Sequence, residues 1–84
     1  MRAAARWVVP EHYQVVGEIL ADARRKANLT QVELAALLGK PQSVVSGYEN
    51  GRRRVDLVEF LVIVRALAAD PVEVFAEIVR SLPK

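Results

Sequence analysis

Neighbouring positions in the middle of the chain carry polar side chains that can hydrogen-bond to nucleic-acid bases. The amide of Gln42 can donate one hydrogen bond and accept another at the edge of an adenine, whereas the hydroxyls of Ser43 and Ser46 contact bases and phosphates less selectively. Pro41 adds an apolar ring that fits against a thymine methyl group. We therefore expect these residues to read base edges, with Gln42 contributing most of the selectivity.

Residues suited to catalysis or metal binding are sparse. The chain has no cysteine, which excludes disulfides, thiolate metal sites and thiol nucleophiles. Its one histidine, His12, is expected at the surface near the start of a helix. The carboxylates Glu11, Glu18 and Asp22 lie on or near the same helix, but a metal site would need a cluster of histidines or cysteines that the sequence lacks. We expect a protein that is not an enzyme and holds neither a metal nor a cofactor.

Basic residues are concentrated in one part of the chain. Between residues 24 and 54 there are seven Lys or Arg and two Glu, whereas from residue 55 onward three basic residues accompany five acidic ones. A solvated run of charges is one reading of this pattern. The other is a face that binds a polyanion and a separate end that does not.

A pair of short helices is predicted around the polar residues. Thr30 followed by Glu33 makes a capping box ahead of an apolar run, so a helix starts there. Gly39 suits the left-handed residue that ends a helix, and Pro41 suits the first turn of the next. The second helix, about residues 41–49, has a polar outer face. Residues from about 30 to 49 are therefore predicted to form a helix-turn-helix, whose second helix fits the DNA major groove, about 12 Å wide.

Three further helices complete a predicted all-α fold, because no segment alternates as a strand would. They are expected at residues 10–27, at residues 56–69 after a second capping box, and from residue 70 onward. The core residues expected on the last two helices are Leu57, Phe60, Leu61, Val64, Leu67, Ala68, Val72, Phe75, Ile78, Val79 and Leu82.

The 84 residues are expected to form one domain, residues 10–84, preceded by an N-terminal arm of residues 1–9, because two cores could not both bury enough surface. The apolar stretch of the arm is too short for a signal peptide, and no run approaches the roughly 20 apolar residues that span a bilayer. We expect a cytoplasmic protein that does not contact membranes.

The sequence from about Glu18 to Phe75 resembles the XRE-type, lambda repressor-like helix-turn-helix family. The resemblance is carried by ARRKANLTQVELAALLGKPQSVVSGYENGRRR and LVEFLVIVRALAADPVEVF, with Leu-Thr-Gln, Glu-Leu-Ala, Leu-Gly, Val-Ser, Glu-Asn-Gly and an Ala-Leu before Asp-Pro. It implies a five-helix domain that binds double-stranded DNA, often as a dimer on a two-fold operator, and usually represses or otherwise regulates transcription.

The resemblance also implies roles for individual residues. Gln31 would bind a phosphate, and Arg24 would approach a phosphate while pairing with Glu49, which braces the first helix against the recognition helix. Contacts to the DNA backbone are also expected from Lys40, Asn50, Arg52, Arg53 and Arg54. Gly47 departs from the common pattern because relatives often carry a long polar side chain there. Its presence indicates either a close approach to DNA or reduced specificity.

More apolar residues are present than the core obviously needs. We expect the surplus, which includes Val58, Val62, Val74 and Trp7, to form a homodimer interface on the last two helices together with the N-terminal arm, with a generous core as the other explanation. A dimer would place two recognition helices about 34 Å apart, on an inverted-repeat operator. The alternative is an antitoxin-like or adaptor protein that uses the helix-turn-helix as a scaffold to bind another protein.

Overall fold

The computed structural model describes residue 2 and residues 7–83, and its regular structure consists of helices. They are α1 (Pro10–Lys26), α2 (Gln31–Leu38), α3 (Gln42–Glu49), α4 (Leu57–Ala66) and α5 (Pro71–Ser81). Within the described ranges no strand is present, so the all-α prediction is confirmed. Among the same residues, no helix is long and apolar enough to cross a membrane.

Side chains cap the helix starts as the sequence predicts. The hydroxyl of Thr30 accepts from the Glu33 backbone N–H at 3.1 Å, and the Glu33 carboxylate accepts from the Thr30 N–H at 2.9 Å. The hydrogen bond from the Thr30 backbone holds the pKa of Glu33 below its usual range. Asp56 and Glu59 form the same box at α4. Helix α3 begins one residue later than predicted, because Pro41 is extended, with ψ 152°, and occupies the N-cap position.

Each of the first four helices ends in a left-handed residue. These are Asn28, Gly39, Gly51 and Ala68, with φ of 59°, 65°, 79° and 55°. At the last of them the Ala69 N–H donates to the Val64 carbonyl at 3.2 Å and the Ala68 N–H donates to the Arg65 carbonyl at 3.0 Å, which is the Schellman arrangement. Helix α4 therefore ends at Ala66, three residues before the predicted Ala69. Alanine in this conformation was not expected, because its Cβ makes it unfavourable.

The core lies where α1 packs against α3 and α5 and where α4 covers α2 and α5. Its buried side chains are Leu20, Leu34, Ala35, Val45, Tyr48, Phe60, Ile63, Val64, Leu67, Val74 and Ile78. The predicted core face of α5 is right for Ile78 and Leu82, which pack in or against the core, and wrong for Val72, Phe75 and Val79, which are 74%, 50% and 60% exposed. Leu57 and Ala68 of α4 were also expected in the core and are exposed. Apolar side chains on both sides of α4 and α5 made the sequence pattern ambiguous.

Candidate nucleic-acid interface

The residues predicted to read bases lie together at the start of α3. Pro41, Gln42 and Ser43 are exposed, and Ser46, one turn later, is half-buried. The opposite side of α3 packs into the core through Val45 and Tyr48, leaving the polar face outward, as a helix entering a groove requires.

A chain of hydrogen bonds connects Gln42 to the interior. The Gln42 Nε2 donates to Gln31 Oε1 at 2.9 Å, and Gln31 Nε2 donates to Glu49 Oε1, also at 2.9 Å. Gln31 is the first residue of α2, and its amide joins Gln42 at the start of α3 to Glu49 at its end. The Gln42 side chain is therefore held by Gln31, which Glu49 holds in turn.

Glu49 is in turn paired with Arg24 of α1. The Arg24 Nε and Nη2 donate to the two carboxylate oxygens at 2.7 and 3.0 Å, and Nη1 donates to the Leu29 carbonyl at 2.7 Å. The side chains of the pair are only 10% and 7% exposed. The hydrogen bond to Glu49 raises the pKa of Arg24, so its charge is permanent. With so little of its side chain accessible, Arg24 is placed as a brace rather than as a residue facing a phosphate.

Two glycines allow α1 to contact the last turn of α3 directly. A Cβ on Gly17 would lie 2.4 Å from the Tyr48 carbonyl oxygen, and one on Gly51 would lie 2.9 Å from Gln14. Gly51 also has φ of 79°, which disfavours a side chain there. Gly17 was not singled out from the sequence, although a lone glycine within a helix pattern is a signal for a close backbone approach.

The basic loop, residues Arg52–Arg54, folds back onto α3. The Gly47 carbonyl accepts hydrogen bonds from the backbone N–H groups of both Arg52 and Arg53 at 3.0 Å, and the Asn50 side chain accepts from Arg52 at 3.0 Å. A Cβ on Gly47 would come within 3.3 Å of the Arg53 Cβ. The glycine thus makes room for the loop, a third explanation beside the two that the sequence suggested.

Aromatic rings and a carboxylate orient the side chains around this loop. The Arg53 guanidinium lies 5.5 Å from the Tyr48 ring centroid, and the Arg54 guanidinium lies 5.5 Å from that of Tyr13. Burial raises the pKa of Tyr48, so its hydroxyl stays protonated and donates to Glu59 Oε2 at 2.8 Å. The guanidiniums of the loop and the Lys40 ammonium remain exposed, on the same helix-turn-helix unit.

Of the residues predicted at a dimer interface, three are exposed and one is buried. Val58 and Val62 on α4 are 69% and 53% exposed, and Trp7 is 86% exposed. The prediction that Val74 lies at the interface is wrong. This residue is 7% exposed and packs in the core, because its side of α5 faces α1 and α4. The exposed apolar residues of α5 are instead Val72, Phe75 and Val79.

Comparison with known proteins identifies the family to which this fold belongs. The profile of the helix-turn-helix family HTH_3 matches residues 20–74. A solved structure of an XRE-family like protein from Pseudomonas syringae pv. tomato str. DC3000 is 41% identical, with a TM-score of 0.75, over 87% of this chain and 89% of that one. No curated protein matches the chain.

Two solved regulators are also similar. The clp gene regulator ClgR from C. glutamicum is 25% identical with a TM-score of 0.78, over 86% of this chain and 94% of that one. The restriction-modification controller protein C.AhdI from Aeromonas hydrophila is 36% identical with a TM-score of 0.68, over 80% of this chain and 100% of that one. The chain belongs to the HTH_3 helix-turn-helix family, with the lambda repressor-like fold of XRE-type DNA-binding regulators.

Proposed function

We propose that the chain is a sequence-specific transcriptional repressor that binds an inverted-repeat operator as a homodimer. The observation that carries the proposal is the hydrogen-bonded chain from Gln42 through Gln31 and Glu49 to Arg24. It fixes an exposed amide on the outer face of the recognition helix before any DNA arrives, which lowers the entropy cost of binding.

The bonds made by Gln42 favour adenine as its target. A primary amide offers two N–H donors and a carbonyl oxygen. One donor is used by Gln31, which leaves one N–H and the oxygen. That remaining pair matches adenine, whose major-groove edge presents the N7 acceptor beside the N6 amino donor. Ser43 and Ser46 add contacts of lower selectivity, and Pro41 contacts a thymine methyl group.

Backbone contacts come from groups around the same helix. Gln31 keeps one amide N–H that is not used within the chain of hydrogen bonds, and it lies at the positive end of α2, where a phosphate is favoured. Lys40, Asn50 and the basic loop supply further contacts that do not depend on the base sequence. Arg24 acts through Glu49 and contacts no phosphate itself.

The homodimer uses the apolar face shared by α4 and α5. Exposed members of this face are Leu57 and Val58 on α4 and Val72, Phe75 and Val79 on α5, with Val62 beside them. Phe75 joins the two helices because its ring meets that of Phe60 edge-on, with centroids 6.3 Å apart. A helix that is apolar nearly all round, as α4 is, is typical of one that becomes buried.

Selection from random duplexes tests the proposal. Wild-type protein is expected to enrich an inverted repeat containing adenine in each half. Gln42→Ala is expected to lose about 1–3 kcal/mol of discrimination at that base alone. Arg52→Ala is expected to weaken binding to all sequences and to reduce the salt slope by about one. Arg80→Ala is the control that leaves DNA binding unchanged, because Arg80 is exposed on the side of α5 that carries Glu73 and Glu77. Failure to enrich any sequence would contradict the proposal.

A second candidate function is that of a protein-binding adaptor. A shallow apolar cavity of about 160 Å³ between α4 and the helix-turn-helix favours it, with Leu38, Val44, Val58, Val62 and Ile63 in its walls. In that case Gln42→Ala would leave partner binding intact, while Val62→Asp would abolish it without unfolding the chain. An inverted repeat in the DNA selection would decide against the adaptor.

A further inference from the structure

A cleft of about 240 Å³ separates the segment before α1 from the basic loop. Its lining residues are Trp7, Val8, Val9, Pro10, Tyr13, Gly51, Arg52 and Arg54. We call it the amino-terminal cleft. Trp7 is the one residue expected at the dimer interface that lines it, and it shares the cleft with Arg52 and Arg54 rather than with the valines of α4.

The chemistry of the amino-terminal cleft is that of a site for a phosphate linked to a flat or sugar-like group. The Trp7 ring is 86% exposed, although a tryptophan is a large apolar group that is costly to leave in water. Across the described residues, neither Arg52 nor Arg54 forms an ion pair with a carboxylate. The Arg54 guanidinium lies 5.5 Å from the Tyr13 ring centroid, and both residues line the cleft.

The position of the amino-terminal cleft relative to α3 indicates which part of a DNA duplex it contacts. The basic loop is held to the last turn of α3 by the Gly47 carbonyl, whereas Gln42 begins the helix. Eight residues of helix extend about 12 Å, so the basic loop lies about that far from the start of α3. The proposed function assigns this loop to the sugar-phosphate backbone, and because Arg52 and Arg54 line the cleft, the cleft lies beside the same strand.

We propose that the amino-terminal cleft binds the sugar-phosphate backbone of duplex DNA, with Trp7 and Tyr13 as contact residues beside Arg52 and Arg54. This assignment rests on the proposed function, and it moves Trp7 from the dimer interface to the DNA-binding surface. The cleft contributes affinity and carries no sequence selectivity, because sugar and phosphate are the same at every base pair.

Trp7 is the only tryptophan in the chain, so its fluorescence reports on the cleft alone. Acrylamide quenching is measured with and without a duplex of about 30 base pairs that carries the selected repeat. On adding DNA we expect the emission to shift and the quenching constant to fall about threefold or more, because an open ring becomes covered. An unchanged quenching constant in the bound state overturns the assignment.

The DNA affinities of Trp7 variants show whether this residue contacts DNA or acts through folding or dimerisation. Trp7→Ala is expected to weaken binding about fivefold to tenfold on the selected duplex and equally on a scrambled one, because the apolar contact area of the ring is lost. Trp7→Phe should recover most of the loss, and Leu37→Ala, which trims an exposed apolar side chain on α2, should change nothing. Circular dichroism confirms that each variant is folded.

The remaining outcomes distinguish the two proposals. If wild type binds the repeat while Trp7→Ala binds equally well, the cleft assignment fails and the proposed function stands. Dissociation of the dimer by Trp7→Ala in sedimentation, measured without DNA, would return Trp7 to the dimer interface and overturn the assignment. If wild type binds no duplex at any salt concentration, the proposed function fails and the cleft assignment fails with it.

Discussion

Removal of the Glu49 carboxylate tests how the recognition helix is held. In Glu49→Ala the Arg24 guanidinium keeps its bond to the Leu29 carbonyl and loses both bonds to the carboxylate. Unit charges about 3 Å apart attract by about 5 kcal/mol at an effective dielectric of about 20, and deleting one partner of a buried pair costs about 3–5 kcal/mol. Because Arg24 keeps one acceptor and slight exposure, we expect the lower value, about 3 kcal/mol.

Urea unfolding followed by circular dichroism measures this loss. With an m-value of about 1 kcal/mol/M for a chain of this size, the midpoint should fall by about 3 M. The Tm should fall by about 12–24 °C, since each kcal/mol corresponds to about 4–8 °C. Gln31 also loses its acceptor on Glu49, so discrimination at the base read by Gln42 should weaken even where the variant is folded.

Two comparison variants make the result decisive. Asp22→Ala removes the exposed Lys26–Asp22 pair, 3.5 Å apart, and should cost less than about 0.5 kcal/mol. The double variant Arg24→Met with Glu49→Leu should recover most of the stability, because a packed apolar pair replaces the buried charges, but not the discrimination. A midpoint shift below about 1 M for Glu49→Ala would refute the argument.

Three further changes test the helix ends, the helix contact and the cap. Ala68→Gly should stabilise the fold by about 0.5–1 kcal/mol in urea unfolding, because φ at this residue is 55°. Ala66→Gly within α4 should instead destabilise the fold by about 1 kcal/mol, and the opposite order of the two variants would contradict this reasoning. Gly17→Ala should cost about 3 kcal/mol or more, since its Cβ would lie 2.4 Å from the Tyr48 carbonyl oxygen; a neutral change in Tm would count against it. The pKa of Glu33 is lowered in the folded state, so its carboxylate stabilises the fold above the unfolded pKa of about 4.5, and this stability is lost as pH falls through the folded pKa. The difference in free energy of unfolding between wild type and Glu33→Gln should therefore shrink between pH 7 and pH 3.

Features that depend on a few neighbouring residues were predictable from sequence. The capping box of Thr30 with Glu33 joins residues three apart, and Gly39 needs only its own backbone to end α2. The end of α4 was not predicted correctly, because Ala68 takes a left-handed conformation that no local signal favours. The packing of Leu67 and Ala69 against the core supports that turn instead.

Features of the interface that depend on how helices cross were not predictable from spacing. Gln31 and Gln42 were each assigned to DNA, but their mutual hydrogen bond requires α2 and α3 to meet at one particular angle. The pairing of Arg24 with Glu49 followed from family resemblance, since a separation of 25 positions along the chain imposes no contact. The Gly17 contact, which sets the distance from α1 to α3, carries only a weak sequence signal.

The misassigned face of α5 bears directly on assembly. Val74 and Ile78 are four residues apart and line one side of the helix, whereas Val72, Phe75 and Val79 line an adjacent side with equally good helical spacing. Periodicity cannot choose between two such faces, and packing against α1 does. A helix that needed only one buried face would gain nothing from the second, and charged side chains there would be more soluble. The second face is explained if it too becomes buried, which is what the proposed dimer provides.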